Sequence, residues 1–323
     1  MFNIDKNLTK VPITAYQDPA FFLSILKNEN GYERLLYSSY INFIWRPDEE
    51  YKLHIDIDLG ELYKHFNIES IGIIRVWDIL SLNNPYEFFV NLMADKIKAG
   101  YFITGRFDEF YISSKQRYNS EHYNGQFYLT DVDIENKIFT AVGTDVDKAY
   151  IEYEITFDEL IKAIEDAPES VFKDSKFTNG KFTNIISFVK SKRQNYVFSI
   201  DRVHNEMCCL LNIDNSADSL DGFAAVEYFL DNFETEYKRE YVVLICEHAK
   251  LMCERLKYME EENALPNISE CVDKYKKISN KADETISYTD SDLTYIKESL
   301  REIITNEKVI LLEVYAKFNG VTK

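Results

Sequence analysis

The sequence predicts an α+β protein whose first half is rich in strands and whose second half is helical. Three observations carry that expectation. Between residues 51 and 157, short β-branched and aromatic runs alternate with polar turns. Beyond residue 218, apolar side chains recur every three and four positions. The 323 residues hold 46% hydrophobic side chains, with 23 Tyr and 22 Phe but only 10 Gly and 6 Pro, which suits a sizeable core and excludes low complexity.

The elements follow in order. PAFFLSIL (19–26) reads as a helix with Pro in its first turn. GYERLLYSSYINFIW (Gly31–Trp45) reads as a second amphipathic helix ending before Pro47. YKLHIDIDL (51–59) alternates apolar and polar residues as a strand does, LGELYKHFNI (59–68) fits a short helix, and SIGIIRVWDI (70–79) a strand. NPYEFFVNLMADKIKAG (84–100) has helical spacing at Phe88, Leu92 and Ile97, with Gly100 at a C-cap. YFITGRFDEFYI (101–112) is a strand pair or one long bent strand, followed by the polar, turn-like SSKQRYNSEHYN. GQFYLTDVD (125–133) is a strand, and IENK (134–137) turns it into the next strand, IFTAVGTD. AYIEYEITF (149–157) is a further strand, and its end opens a helix capped by Thr156 with Glu159 three residues on. Four helical stretches then occupy 220–234, 239–263, 267–288 and 291–318.

A boundary is expected near 165–215, giving an α+β domain over 1–165, a linker and strand region over 166–215 and a helical domain over 216–323. The middle region carries a basic island, Lys173, Lys176, Lys181, Lys190, Lys192 and Arg193 against Asp174. It reads as a solvated linker and strand rim, or as a docking patch for an acidic partner. The C-terminal amphipathic helices fit either closure of a core or pairing with a second subunit, as a homo-oligomer.

A net charge of −18 argues against nucleic acid or an anionic membrane as partner, since either would be repelled. The N-terminus lacks the apolar stretch of a secretory signal, and no run of about 18 apolar residues is present, so a cytoplasmic protein is expected. All five Cys (208, 209, 246, 253 and 271) fall after residue 200, an odd number that fits reduced thiols better than a disulfide framework.

Few residues point to chemistry. Cys246, His248 and Cys253 share a helix, but 248 turns about 200° from 246, which disfavours a common metal. His54 with Asp56 and Asp58 at strand spacing reads as a solvated face or as a divalent-ion site. Asp108 and Glu109, adjacent on a strand, point opposite ways and do not form paired carboxylates; one of them is expected to bond the turn at 113–119. No nucleotide-binding or metalloprotease motif is present, and no cofactor or metal is expected.

Gly100, Tyr101, Asp108, Glu109, Phe110 and Tyr111, followed by Tyr118, His122, Tyr123, Phe127, Tyr128, Leu129 and Asp133, form a pattern. It resembles the signature of proteins related to butirosin biosynthesis protein H, papain-like acyl-transferring proteins of natural-product clusters. LDGFAAVEYFLDNF and VLICEHAKLMCERLKYM are similar to the helical region that follows in many relatives, so the resemblance runs from about residue 30 onward. It implies a papain-like domain followed by a mainly α-helical region. Asp108, Tyr111 and Tyr118 are candidate binding residues, and so are Lys173, Lys176 and Lys181 of the basic island, whose charge would steer an acidic carrier protein.

The departures bear on activity. Where the resemblance implies the basic His, this chain has Gly125, and where it implies an N-terminal nucleophilic Cys the chain offers only Ser38 and Ser39. Asp131 and Val132 stand where the family has Gly and Tyr, and Asp145 stands about where the residue orienting the His would sit. A hydroxyl without an adjacent base is a poor nucleophile, and loss of a general base forfeits roughly 10²–10⁴-fold. His122 could replace the base only if its segment is a loop, since on a strand it would face away from position 125. The expectation is a non-catalytic accessory or binding protein of a peptide or natural-product pathway, holding a peptide, a carrier-bound acyl chain or a partner enzyme. The alternative is an acyltransferase or hydrolase using Ser38 or Ser39 with His122 and Asp145.

Overall fold

The computed structural model describes residues 10–39, 41–47, 52–55, 65–74, 85–144, 150–166, 183–192, 195–213 and 220–321. These fall into two compact units that are not consecutive in sequence. The first takes in the described residues of Met1–Lys10, Phe21–Asn28 and Gly60–Arg193; the second those of Val11–Ala20, Glu29–Leu59 and Gln194–Lys323. The fold is mixed α+β, with a six-stranded antiparallel sheet and a helical C-terminal region. Among the described residues no helix is long and apolar enough to cross a membrane.

The sheet of the first unit contains β3 (Phe66–Ile74), β4 (Phe102–Asp108), β5 (Asn124–Asp133), β6 (Ile138–Thr144), β7 (Tyr150–Thr156) and β8 (Thr183–Ser191). Their order is β3-β8-β4-β5-β6-β7. β4, β5, β6 and β7 form a meander, as the turn-separated runs imply, and Lys137 closes the β5–β6 turn with φ 54°. β8, from the region read as linker and strand rim, lies inside the sheet between β3 and β4. Lys190 of the basic island belongs to it, its ammonium donating to the Ala99 carbonyl at 3.0 Å. Lys173, Lys176 and Lys181 lie outside the described residues.

Two helices cover one face of this sheet, α3 (Pro85–Lys98) and α4 (Phe157–Glu165). Val90, Met93, Ala94 and Ile97 of α3 and Leu160, Ala163 and Ile164 of α4 pack on Ile103, Phe107, Phe127, Leu129, Phe139 and Ile155. Each large buried side chain there contributes about 1.5–3 kcal/mol. α4 starts as its sequence dictates: Thr156 accepts from the Glu159 N–H, and the Glu159 carboxylate accepts from the Thr156 N–H. From α1 (Gln17–Leu26), Phe21 stacks on Tyr128 of β5 with centroids 4.2 Å apart, while Phe22 meets Phe66 at 5.0 Å. Position 128 has the opposite parity to 127 and 129, so these rings pack on the other face.

In the second unit, the helix expected over Gly31–Trp45 is corrected by the structure. α2 spans only Tyr32–Tyr37, and the chain then enters β1 (Phe43–Trp45), which pairs antiparallel with β2 (Leu53–Ile55). The apolar 41–45 run is held by partners distant in sequence: Gly222 N–H donates to the Phe43 carbonyl at 2.7 Å and Trp45 N–H to that of Leu220 at 2.9 Å. Helix periodicity loses to these non-local pairings. The remaining helices are α5 (Ile200–Leu210), α6 (Phe223–Asp231), α7 (Phe233–Glu236), α8 (Arg239–Glu261), α9 (Ser269–Ser287) and α10 (Leu293–Val321). α8 is buried around most of its circumference, from Tyr241 to Met259, which marks it as the centre of this unit.

Candidate functional site

β4 delivers Asp108 to the end of its strand, where the chain turns into the short 3-10 segment Glu109–Tyr111. The Asp108 side chain is fully buried, and a buried carboxylate must be hydrogen-bonded. It accepts from Phe110 N–H at 3.1 Å, which caps the turn, and from Tyr123 N–H at 3.0 Å. His122 supplies the third bond, Nδ1 to Asp108 Oδ2 at 2.6 Å. Asp108 thus bonds residues 110, 122 and 123 rather than the turn at 113–119, while Glu109 interacts electrostatically with Lys115 and Arg117 of that turn.

His122 precedes β5 and lies in a loop rather than on the strand. Its imidazole stacks on Phe110 (centroids 4.2 Å, interplanar angle 22°) with Tyr111 at 5.9 Å, and its side chain is 38% exposed. Because the carboxylate accepts, Nδ1 is the donor. Among the described residues Nε2 has no hydrogen-bond partner. Arg117 lies 3.5 Å over the Tyr123 ring, and Tyr118 and Tyr123 stand exposed beside it. The loop is closed by Asn119, whose φ of 52° lets its N–H reach the Phe110 carbonyl at 3.0 Å.

The opposite face of the same strand pair is filled by Glu109. Gly125 faces Phe107 across the sheet, and a Cβ placed on Gly125 would lie 2.2 Å from Glu109 Oε1 and 2.5 Å from its Cγ. The glycine is what allows the Glu109 side chain to lie there. Burial pushes the Glu109 carboxyl above its ordinary pKa, while Lys115 and Arg117 pull it back. The buried Lys115 ammonium sits 4.3 Å over the Tyr153 ring, whose hydroxyl is buried without a partner among the described residues. Burial, and then Glu109, push the Tyr153 phenol well above its usual value.

No protein-family model matches this chain, and no curated protein matches it.

The other sequence candidates are distributed as follows. Ser38 and Ser39 belong to the second unit and are buried. The Ser38 hydroxyl is committed twice, donating to the Arg34 carbonyl at 2.7 Å and accepting from Ser199 N–H at 2.9 Å. The Ser39 carbonyl accepts from the guanidinium of the fully buried Arg255. Asp145, Asp56 and Asp58 lie outside the described residues, and the carboxylate bonded to His122 is Asp108. Cys208, Cys246, Cys253 and Cys271 are buried and Cys209 exposed. Burial raises the thiols of Cys246, Cys253 and Cys271, which suppresses thiolate. His248 is enclosed, its Nε2 donating to the Ile41 carbonyl at 2.8 Å beneath the Phe43 ring. Among the described residues no three His, Cys, Asp or Glu side chains are placed to hold a metal.

Sequence reasoning missed the Asp108–His122 pair. Its partners are 14 residues apart, and no spacing rule joins a strand end to a distant loop. The one available signal was an Asp at a strand terminus followed by a polar, turn-rich stretch containing a single His.

Proposed function

We propose that this chain is an accessory or binding protein of papain-like ancestry, serving a peptide or natural-product pathway, which holds its ligand without forming a covalent acyl-protein bond. The ligand is a peptide or a carrier-bound acyl chain, received on the aromatic loop that contains Tyr111, Tyr118 and Tyr123. One observation carries this reading. The post that the family resemblance gives to a basic imidazole is Gly125, and the volume a side chain would take there is held by the Glu109 carboxyl. Further support comes from Ser38, whose hydroxyl is bound at both its donor and its acceptor side. The buried, raised thiols point the same way.

Calorimetric titration with hexanoyl-pantetheine thioester and with short peptides tests it. Saturable binding that weakens in Tyr118→Ala is expected. Absence of binding heat for both ligand classes, under conditions where the chain is folded by circular dichroism, overturns it.

A further inference from the structure

In the second unit, α9 and α10 run antiparallel, and ion pairs join them at two levels. Lys274 meets Glu313 at 2.8 Å, and Lys281, two turns on, meets Glu302 at 3.8 Å. Between these pairs the helices leave a groove of about 350 Å³, within the size range of small-ligand sites. The rise of the helix from 274 to 281 makes it about 10 Å long. Its floor is apolar, built from the buried Ile278, Ile303 and Ile310, and Val309 on its rim is 54% exposed. Lys277 and Asn306 also line it, and neither side chain makes a hydrogen bond or ion pair among the described residues. The acid nearest to Lys277 in sequence, Asp273, is held by Lys276 at 2.8 Å.

We propose that this groove binds a small free carboxylate with an aliphatic body. The Lys277 ammonium and the Asn306 amide donate to the carboxylate, and the chain lies on Ile278, Ile303 and Ile310. Charge complementarity selects the occupant. Three ammonium groups line the groove against two carboxylates, which leaves one positive charge for a monoanion on a chain whose net charge is −18. The end lysines are already engaged, Lys274 by Glu270 at 3.0 Å as well as by Glu313, and Lys281 by the Tyr295 hydroxyl at 2.9 Å. A phosphate monoester, with a second charge and more acceptors, finds only the one free ammonium. Each methylene that leaves water for the floor tightens binding about fourfold. A lysine that serves only as a solvated charge needs neither an apolar floor nor an unpaired amide in the same groove. The site shares no residue with the Asp108–His122 loop, so it goes beyond the accessory reading and does not rest on it.

The test is methyl NMR of the full chain with its isoleucines labelled, titrated with sodium octanoate, with octanol (the chain without the charge) and with sodium acetate (the charge without the chain). Octanoate is expected to shift the Ile278, Ile303 and Ile310 methyl signals saturably, with a dissociation constant of about 1 mM or tighter. Octanol and acetate are each expected to bind at least ~10-fold more weakly. Lys277→Gln, at an exposed position, is expected to weaken octanoate by roughly 10-fold and to leave octanol unchanged. A merely structural lysine would not separate the two ligands in this way. The inference is overturned by the absence of saturable shifts at these three methyls, by octanol binding as tightly as octanoate, or by unchanged octanoate affinity in Lys277→Gln. Sedimentation equilibrium supplies one more decisive outcome. A monomer is expected, and a dimer that dissociates in Val309→Asp would assign the groove to a second copy of the chain and overturn the carboxylate site.

Discussion

Glu109 and Gly125 share one volume: the carboxyl of the first lies where the Cβ of any residue replacing the second would have to be, 2.2 Å from Oε1. With Glu109 in this rotamer, no side chain fits at position 125.

Gly125→Ala therefore forces the half-buried Glu109 side chain out of its place. We expect a loss of about 1–3 kcal/mol in urea unfolding, the range for overpacking. Glu109→Ala in the same chain recovers at least ~1 kcal/mol of that loss, the coupling expected of residues in contact. Strict additivity in the double-mutant cycle would refute the shared volume.

A second prediction concerns pH. Glu247 of α8 is buried, and burial pushes its carboxyl up to about 7, although Thr14 N–H (2.9 and 2.8 Å), the Thr14 hydroxyl and Ala15 N–H (3.0 Å) all donate to it. The folded state thus holds this proton more tightly than the unfolded chain, whose carboxyl titrates near 4.5. The contribution is fully present below that value and is lost as pH rises through about 7, amounting to roughly 3 kcal/mol. Unfolding free energies from pH 4.5 to 8 should fall more steeply for the wild type than for Glu247→Gln; parallel curves would show that this carboxyl does not titrate as described.

Arg255 is fully buried, and burial lowers its guanidinium to about 9. Its Nε donates to the Tyr37 carbonyl at 2.8 Å and its Nη2 to the Leu36 and Ser39 carbonyls, so one planar fork satisfies the C-terminal end of α2. A lysine carries the charge but not the fork. Arg255→Lys is expected to destabilise by about 2–4 kcal/mol in thermal or urea unfolding, and a loss within ~0.5 kcal/mol would contradict the capping role.

Ser38 is bonded on both sides, so Ser38→Ala leaves the Ser199 N–H without its partner. A loss of about 1–2 kcal/mol is expected. The affinity for hexanoyl-pantetheine should be unchanged, and an affinity lost in the folded variant would return Ser38 to the site.

Local signals made much of the fold legible. The Thr156–Glu159 capping box, the β5–β6 turn at 134–137 and the C-terminal helices all depend on residues within a few positions of each other. What failed was non-local. The 41–45 run looks helical by periodicity and becomes β1 because Leu53–Ile55 and the Leu220–Gly222 segment supply its hydrogen bonds. α5 leaves a short local signal, since Ser199 caps it and Val203, Met207 and Leu210 share one buried face. At the site, His122 and the glycine at 125 were visible in the sequence. The carboxylate that orients the first and the side chain that fills the second were not, because both arrive from the end of another strand.

The central claim, that the chain binds acyl or peptide ligands without a covalent intermediate, is tested most directly by intact-protein mass spectrometry after incubation with a fluorophosphonate and with hexanoyl-pantetheine. The account predicts the unmodified mass at Ser38 and Ser39 for both reagents. A stoichiometric adduct that maps to either serine and vanishes in its Ala variant would contradict it.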